Sequence, residues 1–171
     1  IKHFIYIIIG TTILIVFSFL KEELLFKISI ILFAISFIAL LLVPFIGIEV
    51  KGSKRWIDLI FLPRFQPIEI IKPFFIITVS TLLCLNKNNL YFKYLLSSFI
   101  LLPILLLLIS QPDLGQTLII AMIWLTLIFV SGINIYLFFL FFLFVSLTVS
   151  YLVFFVSKFE YIKFRFLSFI N

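Results

Sequence analysis

The chain is 171 residues long, 65% of them hydrophobic and only 12% charged, with a formal net charge of +6. A soluble domain is about half apolar and about a quarter charged, so one water-facing core cannot hide this much apolar surface. Lipid can solvate such a chain if its backbone pairs within helices or a closed barrel, and the apolar runs are continuous rather than alternating, which predicts helices. The bases are too few, and too close to apolar runs, for nucleic-acid binding.

Six segments have the length and composition of a membrane crossing, which takes roughly 17 to 25 apolar residues. The first runs from about Phe4 to Leu20 and stops at Lys21-Glu22-Glu23. The second runs from about Ile28 to Ile46 and is followed by the longest polar stretch, Gly47 to Gln66. The third begins near Pro67 and ends near Leu85, and Asn86 to Lys93 then reads as a polar loop. The fourth runs from Tyr94 to about Ser110 with Pro103 inside it, where the missing N–H favours a kink. After Gln111-Pro112-Asp113 the fifth runs from Leu114 to about Val130, and Ser131 to Asn134 is a tight turn. The sixth runs from Ile135 to Val156, and the basic, aromatic end from Ser157 to Asn171 suits the membrane interface. The expected fold is therefore an all-α, polytopic transmembrane bundle forming a single membrane domain over residues 1–171. Lone His3 reads as an interfacial residue, and the single Cys84 supports neither a disulfide nor a metal site.

Six crossings alternate the connecting segments between two sides. One side holds the N-terminus, Gly47 to Gln66, Gln111 to Asp113 and the C-terminal segment. It carries Lys2, Lys51, Lys54, Arg55, Arg64, Lys158, Lys163 and Arg165, with Lys72 just inside the membrane, against Lys21, Lys27, Lys87 and Lys93 on the other. By the positive-inside rule alone, the more basic side is cytoplasmic.

Three segments can carry chemistry. Lys51-Gly52-Ser53-Lys54-Arg55-Trp56 packs three bases around a glycine and ends in a tryptophan. Such bases either grip a phosphate, bidentately for Arg and as a point charge for Lys, or simply rest on anionic headgroups beside Trp56. Gln66-Pro67-Ile68-Glu69 opens the third helix: Pro67 suits its first position, and Glu69 suits the positive end of the helix dipole. Lys72 lies one turn on, can pair with Glu69, and is an intramembrane charge that either completes a structural pair or meets a substrate. Asp113 is placed to cap the fifth helix, and as a lone acid it could also act as a base or bind a cation. No nucleotide loop, metal-ligand spacing or Ser-His-Asp constellation is present.

These segments, in this order, resemble one family. Lys51-Gly52-Ser53-Lys54-Arg55-Trp56-Ile57-Asp58-Leu59 is similar to its G-[AS]-x-R-W-[IL]-x-L loop. Gln66-Pro67-Ile68-Glu69-Ile70-Ile71-Lys72 is similar to its Q-P-S-E-x-x-K helix start, and Gln111-Pro112-Asp113-Leu114-Gly115 to its [QE]-P-D-[LF]-G. The family is SEDS (shape, elongation, division and sporulation; FtsW, RodA and SpoVE). Lys72-Pro73-Phe74-Phe75, and the end Arg165 to Asn171, resemble the division branch, FtsW, more than the elongation branch.

The resemblance implies a peptidoglycan glycosyltransferase that polymerises lipid II, an undecaprenyl-diphosphate-linked disaccharide, on the outer face of the cytoplasmic (inner) membrane. Its partners would be that lipid, a class B penicillin-binding protein and other division proteins. It implies a ten-helix fold, so this chain is expected to be a portion lacking one helix before it and three after. Arg55, Lys54, Lys51, Lys72 and Glu69 would then contact the lipid diphosphate, with Trp56, Gln66, Pro67, Asp113 and Gly115 in supporting roles. The family places its catalytic Asp in a large outer loop following the sixth helix, beginning around Lys158 and continuing past Asn171. No catalytic residue is therefore assigned in this chain, and alone it is expected to be inactive. No cofactor is implied beyond room for a divalent cation. Ile68 departs from the family's serine. Alternatives are an elongation polymerase, a lipid II flippase, or an inactive remnant of a split gene. The family topology turns the basic side outward, against the charge count.

Overall fold

The computed structural model describes residues 2–50, 53–59, 62–84 and 89–159. Six helices follow in order: α1 (Lys2–Ser18), α2 (Glu22–Ile46), α3 (Pro67–Cys84), α4 (Leu90–Ser110), α5 (Leu114–Val130) and α6 (Ile135–Phe155). Helices α2, α3, α4 and α6 are long and apolar enough to cross a membrane. Helices α1 and α5 have 17 residues each, rising about 26 Å, a little less than the roughly 30 Å hydrocarbon layer. The chain is a helical membrane bundle.

Two helices start earlier than their apolar runs suggest. Helix α2 begins at Glu22, because two acids in its first turn favour the positive end of the dipole and the polar segment winds into the helix. Helix α4 begins at Leu90, so Lys93 is helical rather than in a loop. Its side chain is buried and donates from Nζ to the Leu83 carbonyl at 2.9 Å, satisfying an end carbonyl of α3. Residues 85–88, including Lys87, and residues 160–171, including Lys163 and Arg165, lie outside the described residues.

The larger departure is the polar stretch after α2. It forms a three-stranded antiparallel sheet, β1 (Ile48–Val50), β2 (Ser53–Leu59) and β3 (Leu62–Phe65), in the order β1-β2-β3. Ile48 faces Trp56, Glu49 faces Lys54 and Val50 faces Ser53; across the other edge Ile57 faces Phe65. Gly47 joins α2 to β1 with its N–H on the Val43 carbonyl, and a Cβ there would collide with that oxygen, so only glycine permits the exit.

The core lies among α2, α3, α4 and α5, with Leu40, Val43, Ile71, Phe75, Val79, Ile104, Leu108 and Ile128 sealed, and Ile57 of β2 packed onto it. Trp124 of α5 donates from its indole N–H to Ser97 Oγ of α4 at 3.1 Å inside this core. Helices α1 and α6 bury none of their described side chains and leave Phe, Ile and Leu exposed, a surface suited to an apolar surrounding. Hydrogen bonds fix the two ends of the bundle. Leu83, Lys93, Tyr94 and Ser131 meet at one, and the sheet, the start of α3 and the α4–α5 turn meet at the other.

Candidate functional site

Strand period builds the site first. Successive side chains of β2 alternate faces, so Ser53, Arg55 and Ile57 turn toward the helices while Lys54, Trp56 and Asp58 turn away. Ser53 and Ile57 are buried, Lys54 and Asp58 exposed, Trp56 half-buried. Arg55 therefore reaches inward to the α4–α5 turn, and each of its guanidinium nitrogens is engaged there. Nε donates to the Gln111 carbonyl at 3.3 Å and Nη2 to the Pro112 carbonyl at 2.6 Å, while Nη1 lies 3.3 Å from Asp113 Oδ1. The turn that it clamps is Gln111-Pro112-Asp113, between α4 and α5.

Asp113, only 5% exposed, is the hub. Its Oδ1 accepts the Gln116 backbone N–H at 3.4 Å, capping α5, and its Oδ2 accepts Gln66 Nε2 at 3.0 Å. Gln66 precedes α3, whose first residue, Pro67, is buried. One turn into α3, Lys72 Nζ lies 2.6 Å from Glu69 Oε2 and donates to Gln116 Oε1 at 3.1 Å. Gln116 Nε2 in turn donates to Glu69 Oε1 at 2.6 Å. The starts of α3 and α5, the α4–α5 turn and β2 thus share one polar network. It holds two cations, Arg55 and Lys72, and two carboxylates, Asp113 and Glu69, so its formal charge cancels.

The residues singled out from sequence do not all meet. Arg55, Lys72, Glu69, Gln66 and Asp113 come together. Lys54 points away from them, and among the described residues it has no ion pair. It lines a cavity of about 460 Å³ with Pro44, Glu49, Ser53, Ser110, Gln111 and Pro112. Lys51 and Gly52 lie outside the described residues. At Gly115 an added Cβ would meet only Asp113 Oδ1 at an ordinary 3.9 Å, so space does not explain that glycine. Ile68, at the family's serine position, is sealed in the core. The expectation of Arg55 as a free phosphate clamp meets a guanidinium already committed on all three nitrogens. Two residues were missed: Gln116, which bridges the two halves of the network, and Gln111. Both are amides flanking Asp113 in an otherwise apolar region. Among the described residues no group of three or more His, Cys, Asp and Glu could hold a metal ion.

The family model of FtsW/RodA/SpoVE cell cycle proteins matches residues 1–171. The chain belongs to this family. Among curated relatives it is 35% identical over 124 residues to the probable peptidoglycan glycosyltransferase FtsW of Buchnera aphidicola subsp. Schizaphis graminum, covering 71% of this chain and 35% of that protein. It is 33% identical over 141 residues to the FtsW of the same description from Coxiella burnetii, covering 80% of this chain and 38% of that one. Against the Nitrosomonas europaea protein it is 38% identical over 101 residues, 57% of this chain and 26% of the relative. The chain thus spans about a quarter to two-fifths of these relatives' length. The solved rod shape determining protein RodA of Thermus thermophilus superposes with a TM-score of 0.69 at 26% identity, covering 81% of this chain and 46% of RodA. A chain from a peptidoglycan synthase complex that coordinates polymerization and crosslinking superposes at 0.70 and 25% identity, covering 90% of this chain and 46% of that one. Family and fold together make this a multi-pass membrane protein.

Proposed function

We propose that the chain is the part of a peptidoglycan glycosyltransferase that receives a lipid-linked sugar diphosphate, lipid II, during cell division. One observation carries the reading: a self-neutralised polar network built around buried Asp113 at one end of the bundle, with Glu69 half-exposed and Lys54 exposed beside it. Lipid-linked diphosphates present their charge at that depth, and a cation held against a low-dielectric wall stabilises it more than one in water. Lys54 is the described base free to do this, with Lys51 two residues before the start of β2. Lys72, 18% exposed, can exchange its partners for a phosphate oxygen. Arg55 supports from behind by holding the turn, rather than by direct contact.

In this reading the network faces outward from the cytoplasmic membrane, the class B penicillin-binding protein is the partner, and the acid that activates the acceptor sugar comes from elsewhere in the full-length protein. Any divalent cation would ride on the diphosphate rather than on a protein cage. A transporter would need polar groups spaced through the membrane. Between the two ends, the described interior offers chiefly Ser29, Ser36 and Ser97, which favours the polymerase.

The test is strand synthesis from purified lipid II by the full-length protein with its transpeptidase partner. Lys54→Ala is expected to raise the lipid II concentration needed for half-maximal synthesis by about tenfold, the loss of one charge-assisted contact. An unchanged concentration dependence would remove Lys54 from the site.

A further inference from the structure

Lys72, Glu69 and Gln116 form a triangle that is closed on every side. Lys72 Nζ lies 2.6 Å from Glu69 Oε2 and donates to Gln116 Oε1 at 3.1 Å, while Gln116 Nε2 donates to Glu69 Oε1 at 2.6 Å. The amide has only one sense here: turned over, it would set its NH2 against an ammonium and its oxygen against a carboxylate. Its root is fixed as well, since the Gln116 backbone N–H caps onto Asp113 Oδ1, the oxygen that Arg55 faces. The α3 side has one tie fewer. Pro73 withholds the N–H that a helix offers to the carbonyl four residues back, so α5 braces the turn that carries Glu69 and Lys72.

The two partners of Lys72 differ in kind. Glu69 is charged, its side chain is 50% exposed, and it sits one turn back on the same helix, so their pair is of the weak, water-facing sort. Gln116 is neutral, half-buried and anchored on another helix. A phosphate oxygen repels Glu69 and competes with it for the same ammonium protons, whereas a neutral amide does neither. The exchange therefore falls on Glu69. When Glu69 Oε2 gives up Lys72 and turns to water, its Oε1 still accepts the Gln116 amide, and Lys72 still donates to the Gln116 oxygen that aims it. With Gln116 removed, both oxygens of Glu69 are free to close on Lys72.

We propose that Gln116 is a positioning residue for Lys72: its amide draws off one oxygen of Glu69 and holds the ammonium on a neutral acceptor, so that an incoming diphosphate takes the place of Glu69. The assignment rests on the reading of a lipid-linked diphosphate substrate and deepens it, because it names the contact that is given up on binding and the one that is kept. Gln116 itself need touch neither phosphate nor sugar; it acts through Lys72.

Binding of a fluorescent short-chain lipid II to the full-length protein in nanodiscs is measured beside strand synthesis by the same protein with its transpeptidase partner. Gln116→Leu is expected to raise the lipid II concentration for half-maximal binding and synthesis about fivefold, the loss of one hydrogen bond, with little change in the maximal rate. Gln116→Glu, the closest match in shape, should weaken binding more than Gln116→Leu does, because a second carboxylate then holds Lys72. Adding Glu69→Gln to Gln116→Leu should restore binding to within about twofold of the parent, since no carboxylate on α3 then competes for the ammonium. A merely bracing contact reverses both orders: the isosteric Gln116→Glu is the milder change, and the double substitution binds no more tightly than Gln116→Leu. Either reversal, or parent-like binding in the Gln116→Leu protein, overturns the positioning role. Lys72→Met separates this role from the reading beneath it. Weak binding in Lys72→Met with parent-like Gln116→Leu removes only Gln116; parent-like binding in Lys72→Met removes the diphosphate from this site and Gln116 with it. The expected order in binding without any strand synthesis supports the positioning role and counts against the polymerase.

Discussion

Replacing Arg55 separates two roles that its position allows. If the side chain is the clamp of the α4–α5 turn, Arg55→Ala strips donors from two carbonyls and leaves Asp113, with a side chain 7% exposed, facing only Gln66 and its own helix N–H. Removing one partner of a buried ion pair costs about 3–5 kcal/mol. Here Arg55 is 27% exposed and water can enter behind it, so we expect about 2–4 kcal/mol. Arg55→Lys can refill one of three contacts and should recover roughly 1 kcal/mol of that loss. Asp113→Asn keeps an oxygen for the cap but loses the charge. In a double-mutant cycle with Arg55→Ala, the coupling should be about 1–2 kcal/mol. The assay is reversible unfolding of the purified chain in mixed micelles, followed by circular dichroism. Arg55→Ala within about 0.5 kcal/mol of the parent, together with additive effects in the cycle, would refute the clamp. Lost strand synthesis alongside such unchanged stability would return Arg55 to the substrate.

Two further substitutions bracket this one. Lys72→Met should cost at most about 1 kcal/mol, because its partner Glu69 is 50% exposed, yet it should lower strand synthesis by the full-length protein about tenfold or more; an unaltered rate would make the pair purely structural. Lys93→Met should cost about 1 kcal/mol through the orphaned Leu83 carbonyl and leave synthesis intact, since it sits at the opposite end of the bundle; a large loss of synthesis would contradict that placement.

The helices were legible because apolar runs of this length have few alternatives in a chain with so little charge. Their ends were less so. Glu22 and Glu23 read as a loop by polarity, yet acids are what a helix start prefers, and capping won over hydropathy. Lys93 looked like loop material for the same reason, although one long side chain can carry its amine to a neighbouring helix end. The sheet was hidden by bases. Ser53-Lys54-Arg55-Trp56-Ile57-Asp58 does alternate inward and outward, but the inward set contains an arginine, so no apolar period marks it. That inward arginine is also why the site was only half visible. Motif spacing brought Arg55, Glu69, Lys72 and Asp113 to one membrane side. It could not say that Arg55 would be spent on carbonyls of the turn, because backbone acceptors leave no trace in side-chain patterns. Gln116 escaped notice because an isolated amide has no partner in sequence; only the meeting of α3 with α5 supplies one.

Orientation is the point at which charge statistics and family resemblance disagree, and the structure supplies a direct test. Position 53 is a poor reporter, since Ser53 is buried, whereas Lys54 next to it is exposed on the outward face of β2. The chain's single cysteine, Cys84, is also exposed, and it ends α3, beside Leu83 and so at the Lys93 end of the bundle. One membrane-impermeant maleimide therefore interrogates both sides. With Lys54 on the outer face, a Lys54→Cys, Cys84→Ser protein labels in intact cells, and the parent protein labels at Cys84 only after permeabilisation. The reverse pattern would put the basic end in the cytoplasm, as the positive-inside rule alone expects, and would remove it from any lipid presented on the outer leaflet. Labelling of both in intact cells would break the alternation itself, and with it the gathering of Lys54, Lys72 and Asp113 on one side.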